Sequence, residues 1–290
     1  MSALTHLECT NCHEQYDANQ LRNLCPACGK VLFARYDIDQ VRKSLAKESL
    51  AERPRNLWRY QELLPVRDSS FRCTLGEGGT PVLEARTLNL TYGLDRLLIK
   101  DEGRNPTGSF KARGLCAAVS RAVELGANDL ALPTAGNAGA ALSAYAARSG
   151  KSATVAMPVD TPSSIQAECR AHGARVLLVD GLINDAAKVV RAGVEAFGWF
   201  DMSTLKEPYR VEGKKTMGLE VAEQLGWRMP DVILYPTGGG VGLIGIHKAL
   251  VEARDLGWVE GDLPRLVAVQ ATGCVTVDVA TIAKDGVLEL

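Results

Sequence analysis

Short apolar runs alternate with segments of helical periodicity along the chain beyond about residue 95. Between the runs, apolar residues recur at helical spacing, as from Leu115 to Val123, and glycines such as Gly126 and Gly150 follow these stretches. Buried strands that alternate with amphipathic helices are typical of βαβ units. The pattern predicts an α/β fold with parallel sheets, whose ligands bind at the carboxyl ends of strands. The length of 290 residues suggests about two domains. The predicted strands are residues 96–100, 129–133, 153–157, 175–180, 232–236 and 266–270.

Composition and charge argue against several classes of protein. The 290 residues include 33 Lys and Arg against 34 Asp and Glu, so the chain offers no large field of one sign to nucleic acid or an acidic membrane. The longest uncharged stretch, residues 130–147, contains Pro133, Asn137 and Ser143 and is too polar to insert into a bilayer. The first residues lack the runs of a signal peptide. We therefore expect a cytoplasmic protein with reduced thiols, no nucleic-acid partner and no membrane contact.

Four of the eight cysteines form a pattern, C-x2-C-x12-C-x2-C, which can close two tight turns around one tetrahedral zinc ion. These are Cys9, Cys12, Cys25 and Cys28. Four thiolates fill the coordination shell, so the zinc would be structural, although His6 or His13 could replace a ligand. Disulfides or an accidental cluster are the alternatives, and a ribbon that binds a partner would make the chain a binding module. The remaining cysteines, which we expect in the core, are Cys73, Cys116, Cys169 and Cys274.

The first of three strand-to-helix turns carries a lysine. Residues 105–108 read Asn-Pro-Thr-Gly, Ser109 is in position to cap a helix, and Lys111 opens that helix. The positive end of the helix dipole disfavours an ammonium group there, so the position favours a neutral amine. A lysine with a lowered pKa is what Schiff-base chemistry requires. On this segment alone, an ordinary solvated lysine is the simpler interpretation.

The second turn, residues 133–139, joins a strand to an alanine-rich helix. Its small residues present backbone amides to an anion such as a carboxylate, and Asn137 offers an amide that can bond a phenolic or carbonyl oxygen. Gly-Asn is also common turn chemistry, so this motif is weak in isolation.

The third turn, residues 235–245, is rich in glycine, which lets the backbone approach a ligand while the following helix offers its N-terminus to a phosphate. Gly240, Gly242 and Gly245 also fit the dinucleotide pattern G-x-G-x-x-G. The next strand ends without the acidic residue that a ribose requires, and no Walker lysine follows. We therefore predict a site for a single phosphate.

Together these segments resemble the fold type II pyridoxal-phosphate enzymes of the tryptophan synthase β family, and within it the threonine synthases. The resemblance extends from about residue 7 to residue 273 and rests on Asn-Pro-Thr-Gly-Ser-Phe-Lys111, the order of the three turns and the zinc ribbon. Residues 75–81 are similar to the entry segment of threonine synthases. Residues 212–216 are similar to the segment that rejoins their large domain.

The resemblance implies a pyridoxal 5'-phosphate cofactor held as a Schiff base by Lys111, the catalytic residue. O-Phospho-L-homoserine and water would be converted to L-threonine and phosphate. Asn137 would bond the ring 3'-oxygen. The expected phosphate-binding residues are Gly238, Gly239, Gly240, Val241 and Gly242. The expected substrate-binding residues are Thr134, Ala135, Gly136, Gly139 and Arg113. Basic groups for the substrate phosphate would come from Lys100, Arg113 or Lys214.

The resemblance also implies an order of domains. A zinc-ribbon-like segment at residues 1–37 precedes linker helices and the start of a large domain at residues 38–104. A small α/β domain follows at residues 105–205, and the large domain resumes at residues 206–290. Residues 37–64 read as one or two polar helices. The last segment stops before the hydroxyl residue that meets the pyridine nitrogen in the family, so we expect a C-terminally truncated large domain. We also expect a homodimer.

Two departures from the threonine synthase pattern favour an alternative. Ala112 stands where these enzymes usually have an acidic residue, and Ser-Phe-Lys-x-Arg-Gly is similar to the motif of dehydratases. The glycine loop is similar to that of serine/threonine ammonia-lyases. Deamination of a hydroxy amino acid is therefore the alternative activity, and an inactive truncated homologue is a further alternative.

Overall fold

The structure is a computed structural model that describes residues 1–271. It begins with a small antiparallel sheet. Its strands are β1 (Leu4–Cys9), β2 (Gln15–Asp17) and β3 (Leu32–Tyr36). They pair in the order β2-β1-β3. One pair of predicted zinc ligands lies at the end of β1 and the other lies before β3, so this sheet is compatible with the predicted zinc ribbon.

The predicted linker contains one α-helix, α1 (Ile38–Ser44). Asp37 caps it by accepting a hydrogen bond from the Gln40 amide at 2.9 Å. The prediction of polar helices is correct for α1. Pro54 lacks an amide hydrogen and restricts the residue before it, so the remainder stays in short 3-10 turns. These 3-10 helices are Lys47–Glu52, Leu57–Leu63 and Ser69–Phe71.

The strand predicted at residues 96–100 is shorter than expected, and it pairs antiparallel where the sequence predicts a parallel sheet. The chain forms β4 (Val82–Glu84), α2 (Arg86–Tyr92) and β5 (Leu98–Lys100). Helix α2 ends at Gly93 in the left-handed conformation, after which the chain reverses, and β5 runs antiparallel to β4. Two 3-10 turns, Glu102–Arg104 and Pro106–Gly108, then lead to the helix that begins at Lys111.

A four-stranded parallel sheet occupies the middle of the chain, in the order β8-β7-β6-β9. Its strands are β6 (Asp129–Pro133), β7 (Ser152–Pro158), β8 (Arg175–Val179) and β9 (Phe200–Asp201). The connecting helices are α4 (Asn137–Arg148), α5 (Ser163–Ala171) and α6 (Ile183–Phe197). Parallel pairing throughout this sheet confirms the predicted α/β fold class.

Three long helices and a further parallel pair of strands complete the described part of the chain. The helices are α3 (Lys111–Glu124), α7 (Tyr209–Gln224) and α8 (Val241–Asp255). The strands are β10 (Val232–Pro236) and β11 (Arg265–Val269). Helix α7 packs against both α3 and α8. It therefore lies between the helix that begins at Lys111 and the helix that follows the glycine loop.

The domain boundaries drawn from the sequence stay predictions. Cys73, Cys116 and Cys169 are buried in the structure, as predicted. Cys274 and the rest of the chain from residue 272 lie outside the described residues. Among residues 1–271, no helix is long and apolar enough to cross a membrane.

Candidate functional site

One small cavity brings together two of the three predicted turns, the Lys111 turn and the glycine loop. Among the described residues, its wall contains three cationic side chains and no carboxylate. Such a wall is suited to an anionic ligand. The residues that line it are Phe110, Lys111, Thr204, Arg210, Lys214, Tyr235, Gly238, Gly239, Gly240, Val241 and Gly242.

Lys111 is the first residue of α3 and is partly buried. The Ser109 hydroxyl oxygen accepts a hydrogen bond from the Lys111 amide at 3.3 Å, although Phe110 occupies the N-cap position. Burial, together with the charge of Arg210, lowers the pKa of Lys111 to about 8. The amine therefore loses its proton more readily than a solvated lysine. The direction is the one expected from the sequence, but burial and Arg210 cause it and the helix dipole is not among the causes.

Two close approaches shape the glycine loop between β10 and α8. A Cβ atom on Gly242 would lie 1.9 Å from the hydroxyl oxygen of Tyr235, and one on Gly239 would lie 2.7 Å from Cγ2 of Thr204. Gly240 precedes α8 with a φ of 77°. Glycine alone fits these positions without displacing a neighbour, so the loop leaves the N-terminus of α8 open towards the cavity.

Two basic side chains from α7 complete the cavity wall. Arg210 is buried, donates to the Met202 carbonyl at 2.7 Å, and has an Nε atom without a partner among the described residues. Lys214 is also buried and donates to the carbonyl of Phe110. Burial, and after it the charges of Lys111 and Arg210, lowers the pKa of Lys214 well below its ordinary value. No motif in the sequence predicts Arg210. The adjoining segment 212–216 is the nearest motif, and the family resemblance identifies it as the segment that rejoins the large domain, not as a cation site.

A buried carboxylate, that of Glu207, lies beside Arg210 and is not among the residues that line the cavity. Glu207 accepts a hydrogen bond from the Arg210 amide at 2.8 Å. Burial raises the pKa of Glu207 to about 7, against the opposing effect of backbone hydrogen bonds and of Arg210. Burial also lowers the pKa of Arg210 to about 10. The charge of Glu207 therefore changes near neutral pH.

The predicted Gly-Asn loop follows β6 and opens α4. The Gly136 amide donates to the Thr134 hydroxyl at 3.0 Å, and a Cβ atom on Gly139 would lie 2.7 Å from Cγ2 of Thr134. Asn137 is the first residue of α4, and both it and Ala135 are exposed. Within the described part of the chain, this loop does not line the cavity. The ring and carboxylate contacts assigned to it therefore stay predictions.

Arg113 is enclosed by carboxylates and is fully buried. Its guanidinium donates to Glu102 at 2.6 and 2.7 Å and to Glu220 at 2.6 and 2.8 Å. Lys100 donates to Glu220 at 2.7 Å. Because these carboxylates already neutralise both cations, the arrangement argues against the predicted substrate contact of Arg113 and the predicted phosphate contact of Lys100.

The four N-terminal cysteines converge, with all sulfur atoms within 4.8 Å of one another. The Sγ atoms of Cys9 and Cys28 are 3.4 Å apart, and those of Cys12 and Cys25 are 3.6 Å apart. The Tyr16 hydroxyl lies 3.2 Å from the Cys25 sulfur. Burial alone would raise the pKa of Cys25, but hydrogen bonds from Tyr16 and from backbone amides lower it to about 6. The thiolate form, which binds zinc, is thereby favoured at Cys25. At Cys12 a backbone hydrogen bond lowers the pKa, but burial and the neighbouring sulfur atoms raise it to about 12.

The histidine alternative for this cluster is not supported. His6 and His13 lie 3.9 and 3.7 Å from the Glu8 carboxylate. Within residues 1–271, the group of side chains close enough to hold a metal contains cysteines alone.

Comparison with known proteins relates most of the chain to one family. Residues 73–285 match the family described as pyridoxal-phosphate dependent enzyme. Threonine synthase of Methanocaldococcus jannaschii is 35% identical over 266 residues, which cover 91% of this chain and 65% of that protein. Threonine synthase of Methanosarcina acetivorans is 35% identical over 269 residues, with coverage of 92% and 65%. The chain thus spans just under two thirds of the length of these relatives.

The fold is also similar to that of a solved enzyme. The apo form of Escherichia coli diaminopropionate ammonia lyase superposes with a TM-score of 0.59 at 20% identity, covering 68% of this chain and 61% of that one. At this level of identity the likeness concerns the fold alone.

Proposed function

Because the chain belongs to the pyridoxal-phosphate dependent enzyme family, we propose that it is a carbon–oxygen lyase of threonine synthase type. Such an enzyme converts O-phospho-L-homoserine and water to L-threonine and phosphate. The observation that carries this proposal is the convergence of Lys111, Arg210 and Lys214 with the glycine loop on one cavity. The identity with two threonine synthases supports the choice of reaction.

The residues of the cavity fit a phosphorylated aldehyde cofactor. Arg210 Nε and the Tyr235 hydroxyl are buried polar atoms without a partner among the described residues, and both side chains line the cavity. Gly238 has open space where a Cβ atom would lie, so the loop can admit a phosphate at that point. Lys111 would hold the cofactor through its amine, and residues 238–242 would hold its phosphate. When bound, pyridoxal phosphate supplies an electron sink for a substrate carbanion.

Lys111 is suited to move a proton as well as to hold the cofactor. With its pKa at about 8, a useful fraction of the amine is neutral near physiological pH. Once released from the cofactor, the Nζ atom can accept the α proton of the substrate and return a proton later. The Phe110 ring, whose centroid lies 4.3 Å from this amine, packs edge to face with the Tyr235 ring, with the two centroids 5.6 Å apart.

The excess of positive charge favours the synthase over the ammonia-lyase alternative. The cofactor brings one phosphate, which the glycine loop can bind, and the guanidinium of Arg210 in the same wall is available to a second anionic group. A phosphorylated amino acid supplies that group, whereas serine and threonine do not. Asn137 and residues 134–139 would bind the ring oxygen and the substrate carboxylate, as the family resemblance implies.

We also infer that Cys9, Cys12, Cys25 and Cys28 hold one structural zinc ion. The compact group of four sulfur atoms supports this inference. Four thiolates leave no open position, so the metal would stabilise the ribbon and take no part in the reaction.

We also propose a cytoplasmic location and a homodimer. Light scattering of the purified chain would test whether it forms a dimer.

Reduction with borohydride in the presence of pyridoxal phosphate, followed by peptide mapping, tests the cofactor assignment. We expect a pyridoxyl group on Lys111, and its absence would refute the proposal. O-Phosphohomoserine and threonine are then supplied separately. Phosphate release with threonine formation supports the synthase, whereas 2-oxobutanoate formed from threonine without phosphate release would favour the ammonia-lyase. Turnover of neither substrate would favour the inactive homologue or the binding module.

A further inference from the structure

We propose that Lys214 is a positioning residue, which fixes the turn that carries Lys111 against the helix that follows the glycine loop. Lys214 is 1% exposed, and it forms no ion pair among the described residues. Burying an unpaired lysine is costly, so such a residue needs a compensating role. This inference rests on the proposed role of Lys111.

The stem of Lys214 passes between α3 and α8, where glycines leave room for it. A Cβ atom on Gly114 would lie 3.1 Å from Lys214 Cε, and one on Gly245 would lie 2.9 Å from Lys214 Cβ. Gly114 belongs to the helix that begins at Lys111, and Gly245 belongs to the helix that follows the glycine loop. One side chain from α7 therefore contacts both cofactor-binding helices.

The amine of Lys214 holds the residue that precedes Lys111. It donates to the Phe110 carbonyl and lies 3.8 Å from the centroid of the Phe110 ring. The Lys111 amine lies 4.3 Å from the same centroid. The Phe110 ring also packs edge to face with the Tyr235 ring, and the Tyr235 hydroxyl lies close to Gly242 in the glycine loop. A continuous set of contacts thus runs from Lys214 through Phe110 to the glycine loop.

Loss of the Lys214 amine should loosen the Lys111 turn. The K214M variant keeps most of the apolar stem but removes the donor to the Phe110 carbonyl. Burial is the first cause of the low pKa of Lys111, so a looser and wetter turn should return that pKa towards the ordinary value. The pKa of Lys214 is lowered first by burial, then by the charges of Lys111 and Arg210, with Glu102 and Arg113 acting after these. Loss of its amine can therefore also raise the pKa of Lys111 directly, so hydrogen exchange of the turn is the readout that distinguishes a positioning role. Arg210, the other cation that acts on Lys111, is unchanged in this variant.

Two measurements on the full chain without added cofactor test the proposal. Amide hydrogen exchange of residues 109–114 reports the turn, and the pH dependence of trace acetylation at Lys111, read by mass spectrometry, reports its pKa. In K214M we expect exchange about tenfold faster, the order of effect that a lost buried hydrogen bond produces. We also expect the pKa of Lys111 to rise from about 8 towards 10.5.

The K215M variant is the matched control. Lys215 is the next residue of α7 and is equally buried, but its amine pairs with Glu212 and Glu252 and lies over the Tyr36 ring. K215M should lower the melting temperature while leaving both readouts at Lys111 unchanged. If K214M does not fold, K214Q replaces it and should give a smaller change in the same direction.

Three outcomes would overturn the proposal. These are a folded Lys214 variant with neither change, a change in only one of the two readouts, or equal changes in K215M. Neither measurement requires pyridoxal phosphate or a substrate. The proposal for Lys214 can therefore fail while the assigned reaction stands, and the assigned reaction can fail while Lys214 still fixes the turn.

Discussion

The guanidinium of Arg113 donates hydrogen bonds to both carboxylate oxygens of Glu220, at 2.6 and 2.8 Å, in a region closed to solvent. This pair joins α3 to α7, the two helices that supply the cations of the cavity. Burial alone would raise the pKa of Glu220, but the charge and hydrogen bonds of Arg113 lower it to about 2. The pair therefore contributes stability above pH 4.5 that is lost as the pH falls towards 2.

The R113M substitution should strongly destabilise the chain. It leaves Glu102 and Glu220 buried with too little positive charge, and breaking a buried ion pair on one side costs about 3–5 kcal/mol. Urea denaturation at pH 7 would measure this loss. R86M is the control, because Arg86 pairs with Glu84 at the surface and should change stability by less than about 0.5 kcal/mol. A small loss in R113M would contradict a structural role and restore the substrate contact predicted from the sequence.

Arg210 should tune the protonation of Lys111. The folded pKa of about 8 lies below the ordinary 10.5, so the folded chain releases this proton more readily than the unfolded chain. Stability from this group therefore increases as the pH rises from about 8 to 10.5. R210Q removes the second cause of the shift and should move the acetylation pKa of Lys111 upwards. An unchanged Lys111 profile would contradict the assigned coupling.

The exposed residue Lys188 is the internal reference for that measurement. It pairs with Asp185 at the surface of α6. Its acetylation profile should be the same in R210Q and in the wild-type chain. A parallel change at Lys188 would indicate general unfolding and not a local electrostatic effect.

Two glycines of the loop should respond differently to alanine. Gly238 has open space at its Cβ position, so G238A should fold normally but weaken pyridoxal phosphate binding by about tenfold or more, because the methyl group fills the cradle. In G242A, the methyl group would meet the Tyr235 hydroxyl, so both folding and binding should suffer. Melting curves and cofactor titrations of both variants would test this contrast. Normal cofactor binding by G238A would place the phosphate elsewhere.

The sequence predicted the parallel architecture well because the strand-to-helix turns have local signals. Strands β6 and β10 have the bounds expected from their apolar runs. Lys111 opens its helix as expected, and the glycine loop precedes α8. Each of these features depends on a few neighbouring residues. The strand predicted at residues 96–100 is shorter and antiparallel to its neighbour, because an apolar run does not specify the direction of the strand that pairs with it.

The sequence did not predict which side chains of α3 and α7 face the cavity. That depends on the position of each residue around its helix and on how the two helices pack. Each residue of an α-helix rotates by about 100°, so Arg113 lies about 200° around α3 from Lys111 and points into the core. Lys214 and Lys215 are adjacent, yet one lines the cavity and the other contacts the ribbon. Arg210 reaches Lys111 only because α7 packs on α3. No local pattern encodes these relationships.

Metal binding by the ribbon should depend on Cys25. C25S removes the thiol whose pKa is lowered to about 6 and should reduce the zinc content from about one ion per chain to near zero. Because the Ala18 carbonyl accepts hydrogen bonds from Arg121 and Tyr209, the ribbon is attached to α3 and α7, so the melting temperature should also fall. C169A should retain the metal, since Cys169 is a buried cysteine outside the cluster. Elemental analysis would measure the zinc content of both variants, and calorimetry would measure their melting temperatures. Full zinc content in C25S would contradict the assigned ligand set.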